Sequence, residues 1–229
     1  MKLIVVGSGS SGNCYILTNG EETLIVECGL PFIEVKKKLH FDIRNIVGVV
    51  CSHEHADHYK YASEYRLAGK KLFTPFIEEQ RVSKVVYEGF SIQAFPLVHS
   101  VPCYGFLITH KEMGKLLFIT DTEYVPQNFK KVNINHLLLE MNYDKEIMTD
   151  RDNVSKYAHV LTGHMEKETT LKFLRNCLNR EGLQTIILCH LSRSNSDPKA
   201  FKQAAEEATG LPVFIAEKDL EIELTQEGL

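Results

Sequence analysis

The sequence predicts an α/β protein in which two β-sheets pack together with helices on the outside. Short apolar, β-branched runs recur along the whole chain, and a few longer segments show the three-to-four-residue apolar spacing of helices. The first half alternates strand signals with few helices, while the second half repeats a similar strand and helix mix, a pattern that two packed layers of sheet satisfy.

Each element follows from local signals. Runs 2–6, 13–18 and 23–27 are rich in Ile, Val and Leu, and Asn19-Gly20 is a turn dipeptide that joins the last two as a hairpin. Helical spacing appears at 31–39 and 59–68, on either side of a strand at 46–51. Strands are expected at 84–88, 91–97, 103–109, 115–120 and 136–140. The clearest helix is 166–181, with Leu171, Leu174, Cys177 and Leu178 on one side and Gly182 as a stop. After a strand at 185–189, a second clear helix opens on Asp197 and Pro198, a capping side chain followed by a ring whose fixed φ suits the first turn, and ends at Gly210. Strands at 213–216 and 220–224 complete the pattern. No Pro/Gly/Ser-rich linker, charge block or low-complexity segment divides the 229 residues, so one domain spanning 1–229 around one sizeable core is expected.

Composition narrows the partners. A formal net charge of -4 excludes a broadly basic groove, and the lysines at 36 to 38, 70 and 71, and 130 and 131 read as solvated positive spots. The six cysteines (14, 28, 51, 103, 177 and 189) form no CxxC pair and several lie in apolar runs, the usage of thiols packed as small hydrophobes in a reducing compartment. The stretch from Met1 to Gly7 is too short for a signal-peptide core, and no run approaches the ~20 apolar residues of a membrane span. A cytoplasmic protein without membrane contact is expected.

Gly7-Ser-Gly9-Ser-Ser-Gly12 fits the GxGxxG spacing of a dinucleotide-binding turn, but that turn must open a helix whose amino terminus faces pyrophosphate. Here the following residues, Asn13-Cys-Tyr-Ile-Leu-Thr, read as a second strand, so a hairpin is expected. Its glycines would allow close backbone approach and unusual dihedrals, and could present amides to an anion.

The most informative segment is Cys51-Ser-His53-Glu-His55-Ala-Asp57-His58-Tyr59, directly after the apolar run 46–50. Three of the ten histidines fall in one six-residue window with an aspartate between them, a density that scattered surface or core histidines do not produce. Imidazole and carboxylate are ligands for a zinc-like divalent ion. His53 and His55, two apart, share a side of extended backbone, whereas Asp57 and His58 lie beyond the turn and face a second position, so two metals are inferred. Further ligands are expected where buried-looking strands end: His99 after 92–98, Asp121 after 116–120 and His190 after 186–189. Asp121 is the candidate bridge, since a carboxylate can give one oxygen to each of two ions.

This pattern resembles the metallo-β-lactamase superfamily, whose His-x-His-x-Asp-His signature is carried by His53, His55, Asp57 and His58. The glycine-rich first hairpin, Glu27-Cys-Gly29 and the later His99, Asp121 and His190 also occur in that family's order, over nearly the whole chain. The resemblance implies an αββα four-layer sandwich of two mixed sheets. It also implies one metal on His53, His55 and His99 and another on Asp57, His58 and His190, with Asp121 and a hydroxide between them. Glu27 stands where the family usually has Asp, which bears on how a ligand histidine is oriented from behind.

Three later segments, Glu140-Met-Asn142, Gly163-His164 and His190-Leu-Ser192-Arg193, resemble the nuclease-type branches of the superfamily, ribonuclease Z and the small WalJ/YycJ-like proteins. That likeness implies catalytic roles for Asp57, Glu140 and His164, with Glu140 orienting His164 to protonate a leaving oxygen. Ser192 and Arg193 would bind phosphate oxygens, the arginine through its planar fork. Alternatively, His164 is a helix-start residue beside Glu166 and Glu168, and Arg193 pairs with Asp197. The expected activity is phosphodiester hydrolysis of a DNA or RNA end or of a small substrate such as a cyclic nucleotide. A flexible arm for transfer RNA or an inserted second domain does not fit within the length. Two other functions compete: an acyl hydrolase acting on a thioester, lactone or β-lactam, and a catalytically silent metal-stabilised binding module. Zinc suits the histidine-rich set, and manganese binds similar donors.

Overall fold

In the computed structural model, residues 1–77, 83–148 and 160–226 are described. Among the described residues, thirteen strands form two mixed sheets. The first sheet holds β1 (Lys2–Gly7), β2 (Cys14–Thr18), β3 (Thr23–Val26), β4 (Ile46–Val50), β5 (Leu72–Phe73) and, beyond β1, β13 (Glu221–Glu223). The second holds β6 (Lys84–Tyr87), β7 (Phe90–Leu97), β8 (Cys103–His110), β9 (Gly114–Ile119), β10 (His136–Glu140), β11 (Thr185–Cys189) and β12 (Val213–Ile215), in spatial order 12-11-10-9-8-7-6. The helices are α1 (Phe32–Lys38), α2 (Ala56–Tyr59), α3 (Ala62–Leu67), α4 (Lys167–Asn176) and α5 (Pro198–Thr209).

The layers follow from the two-residue alternation of side chains along each strand. In β1, Leu3 and Val5 face the second sheet, while Ile4 and Val6 face outward toward Phe32, Val35 and Tyr65 of α1 and α3. In β10, Leu138 faces inward to the same central cluster, and Leu137 and Leu139 face Leu171, Leu174 and Phe201 of α4 and α5. β10, a central strand with both faces covered, is buried throughout its length, with Leu137 to Leu139 apolar and the polar His136 and Glu140 at its two ends. The result is the expected αββα sandwich. None of the described helices is long and apolar enough to cross a membrane.

The twelve anticipated strands are present, and the glycine-rich segment is the turn of the antiparallel β1–β2 hairpin. Its Gly9 amide donates to Asn13 Oδ1 (2.8 Å) and its Gly12 amide to the Gly9 carbonyl (2.9 Å), so these two amides serve the turn itself. α5 is capped as expected, with the Asp197 carboxylate accepting from the amides of Lys199 and Ala200, and Gly210 ending it at φ +72°. Two helices differ from expectation. α4 ends at Asn176, and Gly182 is not its stop, because the chain leaves the helix to pair Leu178 with Phe129. The segment 59–68 is broken at Lys60-Tyr61, where the Tyr61 amide donates to the Cys28 carbonyl (3.1 Å).

Candidate metal centre

Strand direction gathers the site. β9, β10 and β11 are mutually parallel, and β7 runs the same way because two antiparallel steps separate it from β9. Their carboxyl ends therefore share one edge of the second sheet. His99, Asp121, Glu140 and His190 all lie at or just past those ends. On the first sheet, the ends of the parallel pair β3 and β4 deliver Glu27 and the segment 51–58 to the same edge. Three of these residues, Glu27 (φ +67°), Asp121 (φ +45°) and His190 (φ +52°), adopt left-handed backbone directly after their strands. Such conformations cost of order 1–3 kcal/mol each and persist where the surroundings over-determine them.

The seven ligand candidates separate into two groups that share the Asp121 carboxylate, and a third group, Asp121, Glu140, His164 and His190, overlaps them. Donor atoms of His53, His55, His99 and Asp121 lie within 4.8 Å of one another, as do those of Asp57, His58, Asp121 and His190. The division between the two halves of the His-x-His-x-Asp-His segment arises because His55 sits in extended backbone just before α2, with no side-chain capping bond, while Asp57 and His58 ride on its first turn. Asp121 places Oδ2 3.6 Å from His53 Nε2, and Oδ1 3.3 Å from His58 Nε2 and 2.6 Å from His190 Nδ1. His55 Nδ1 and His99 Nε2 are 3.1 Å apart. Two nitrogens bound tetrahedrally at ~2.0–2.1 Å from one zinc ion stand ~3.3–3.4 Å apart, so the observed spacing needs little adjustment.

These residues fit divalent cations for a further reason. The Nε2 atom of His53 is buried without a hydrogen-bond partner, a costly state for a polar group unless something binds there, and that of His190 faces the Asp57 carboxylate at 3.3 Å. Behind the cluster, His53 Nδ1 meets Ser52 Oγ (2.9 Å) and His58 Nδ1 faces Glu27 Oε2 (3.3 Å), which leaves each Nε2 turned inward. Glu27, buried and also accepting from the Ser52 amide (3.0 Å), thus backs His58, the kind of support that fixes a ligating imidazole.

The electrostatics of the cluster follow from burial and from the charges of its own side chains. Burial works to raise the Asp121 carboxyl, but the neighbouring His190 and His58 outweigh it and hold it well below its ordinary range. Burial likewise opposes charge on His58 and His190, yet Asp121 leads the anionic neighbours that raise both well above 6.5. His53 and His99, which have more burial than anionic company, are pushed down, His99 to about 4.

Beside the ligand groups, Glu140 is fully buried and accepts from four donors. Its Oε1 faces His164 Nδ1 (2.8 Å) and His190 Nδ1 (3.1 Å), and its Oε2 takes the amides of Thr122 (3.2 Å) and Met165 (3.1 Å). His164 is therefore drawn to the centre after a helical turn at 160–163, and is not simply a residue beside the α4 terminus. Glu166 takes the capping role instead, accepting from the amides of Glu168 and Thr169. Ser192 and Arg193 line a cleft with His164. Arg193 is exposed and lies 3.4 Å from Ser11 Oγ, while Asp197 is occupied in capping α5.

Some site residues carried no sequence signal that singled them out. Asn13 is buried, with Nδ2 3.0 Å from His58 Nε2 and 3.3 Å from the Asp57 carbonyl oxygen. Ser8 accepts from the His190 amide (2.8 Å).

A family profile described as the metallo-beta-lactamase superfamily matches residues 7–71, the part that carries the first ligand segment. A metallo-beta-lactamase fold protein of Bacillus subtilis, YhfI, superposes with a TM-score of 0.72, covering 97% of this chain and 99% of that one at 18% identity. The chain has the metallo-β-lactamase fold. Human tRNase Z, short form, shares this metallo-β-lactamase architecture with a TM-score of 0.63, over 98% of this chain and 99% of that one at 15% identity. Among curated proteins, exodeoxyribonuclease YycJ of Bacillus anthracis is 26% identical over 219 residues, spanning 84% of this chain and 83% of the relative. The chain is thus similar to proteins of the metallo-beta-lactamase superfamily, a curated exodeoxyribonuclease among them, and its described residues include His, Asp and Glu groups that could hold a divalent metal ion.

Proposed function

We propose that this protein is a dinuclear metal-dependent phosphodiesterase that acts on nucleic-acid strands or small phosphodiesters. His53, His55 and His99 would hold one cation, Asp57, His58 and His190 the other, and Asp121 would serve both. Bound there, two divalent ions would supply an activated water at neutral pH and offset the charge of the phosphate. The observation that carries the reading is the Glu140–His164 pair beside the ligand groups, at 2.8 Å. Burial opposes charge on His164, but Glu140 overcomes it and raises the imidazole, which favours the protonated form that a general acid needs. With Nδ1 committed to Glu140, the opposite nitrogen hands its proton to the departing oxygen. Arg193 and Ser192, on the wall of the same cleft, bind the non-bridging phosphate oxygens. The names of the curated relative and of the human neighbour, an exodeoxyribonuclease and a tRNase, support nucleic acid as the substrate class. Zinc suits the imidazole-rich donors, with manganese the expected substitute.

A substrate panel tests the reading. Bis-p-nitrophenyl phosphate should be hydrolysed by the metal-loaded protein, with a thioester, a lactone and a β-lactam turned over far less. Activity confined to the acyl substrates would refute it.

A further inference from the structure

Strand β2 carries a hydroxyl into the hydrocarbon between the two sheets. Tyr15 is fully buried in the central cluster, with its ring centroid 5.9 Å from that of Phe118, and phenylalanine would meet the needs of packing there. A buried hydroxyl is destabilising unless it is hydrogen-bonded. That of Tyr15 stands 2.9 Å from Ser8 Oγ and 3.3 Å from Asn13 Oδ1. Counting hydrogens gives each bond a direction. Asn13 Oδ1 accepts from the Gly9 amide (2.8 Å) and from Tyr15, and the other end of the side chain faces the carbonyl oxygens of Gly9 and Asp57, both at 3.3 Å, which require the NH2 group. Tyr15 gives its one hydrogen to Asn13, so Ser8 is the donor to Tyr15. Ser8 Oγ in turn accepts from the His190 amide (2.8 Å).

A relay therefore runs from the His190 amide through Ser8 and Tyr15 to Asn13, whose Nδ2 lies 3.0 Å from His58 Nε2 and 3.5 Å from Asp57 Oδ2. Its two ends meet one ligand group, at His190 from the second sheet and at Asp57 and His58 from the first. The other group is supported separately, His53 through Ser52. We propose that Tyr15 is a positioning residue for the cation held by Asp57, His58 and His190, a role that rests on the two-cation reading above. Through Ser8 the phenol fixes the backbone of His190, and through Asn13 it fixes which end of the amide faces Asp57. Without it, Asn13 Oδ1 keeps the Gly9 amide alone, Ser8 loses its acceptor, and ligands from opposite sheets are no longer held in common. Loss of a group that orients metal ligands lowers affinity by about 10- to 100-fold, and here the loss falls on one position of two.

The test is zinc binding by the full chain, stripped of metal and titrated against a chelating dye, for the unaltered protein and for Tyr15→Phe, which keeps the ring and removes the hydroxyl. The variant should hold one ion as before and the other about 10- to 100-fold more weakly. Anomalous diffraction at limiting zinc should place the loss at the peak among Asp57, His58 and His190. Ser8→Ala cuts the relay one bond away and should weaken the same position, and the double variant should lose less than the product of the two single effects, because the hydroxyls act as one unit. Equal weakening of both ions, unchanged affinity at both, or independent multiplicative effects overturn the inference. Should Tyr15→Phe fail to fold, Ser8→Ala decides alone, and unaltered affinity at both positions overturns it. If the unaltered protein binds a single ion, the two-cation reading falls and the inference with it.

Discussion

A Cβ built on Gly29 would fall 1.7 Å from the carbonyl oxygen of Asp57 and 2.4 Å from its carbonyl carbon. The contact is backbone against backbone. Gly29 N donates to the Asn13 carbonyl (3.0 Å), and Asn13 N donates to the Asp57 carbonyl (2.7 Å), so the first hairpin, the turn after β3 and the ligand-bearing α2 are laced together at this point.

Gly29→Ala must therefore displace the segment that carries Asp57 and His58. Overpacking of a filled site costs about 1–3 kcal/mol, and a clash with main chain belongs at the upper end, about 3 kcal/mol. Urea denaturation of the metal-free variant should show that loss, and its metal affinity should fall as well. A variant of wild-type stability and affinity would mean that the hairpin and α2 are not coupled there.

His164 and Glu140 should separate by metal content. Replacing His164 by Asn removes a proton donor at the edge of the ligand groups, so kcat should drop by about 10²–10⁴-fold while two ions remain bound. Glu140→Gln disturbs His164, His190 and two loop amides together, so metal content and stability should decline along with turnover. Loss of metal in the His164 variant would make that residue structural.

Metal uptake should release protons. His58 and His190 are raised above 6.5 in the metal-free protein by Asp121 and its neighbours, so both carry protons at neutral pH that a cation must expel. Affinity should climb with pH, and calorimetry at pH 7 in buffers of different ionisation enthalpy should register net proton release. The metal-free protein should show the linked stability effect. Because these imidazoles are raised on folding, their contribution is complete below 6.5 and is lost as pH rises through their folded values. An affinity independent of pH from 6 to 8 would contradict this charge assignment.

The interior of each sheet was legible because buried strands leave little choice of residue: Leu116 to Ile119 and Ile186 to Cys189 are apolar at every position. β5 was not, since two residues, Leu72 and Phe73, are too few for a periodicity. The clustering of the candidate ligands could be read because His53 to His58 is dense and because His99, Asp121 and His190 each end an apolar run. Left-handed backbone at Glu27, Asp121 and His190 was invisible, as none is glycine and tertiary contacts, not local preference, impose it. Asn13 and Ser8 were hidden for a related reason. Their partners, Asp57, His58 and His190, are 44 to 182 residues away, and nothing in a short window reveals a hydrogen bond of that span.

The account depends on a pair of cations gathered around Asp121. Anomalous diffraction from crystals saturated with zinc or manganese tests this most directly. It should show two peaks per chain, one among His53, His55 and His99 and one among Asp57, His58 and His190, with Asp121 touching both, and Asp121→Ala should weaken both peaks. A single peak, or none within this cluster at saturating metal, would contradict it.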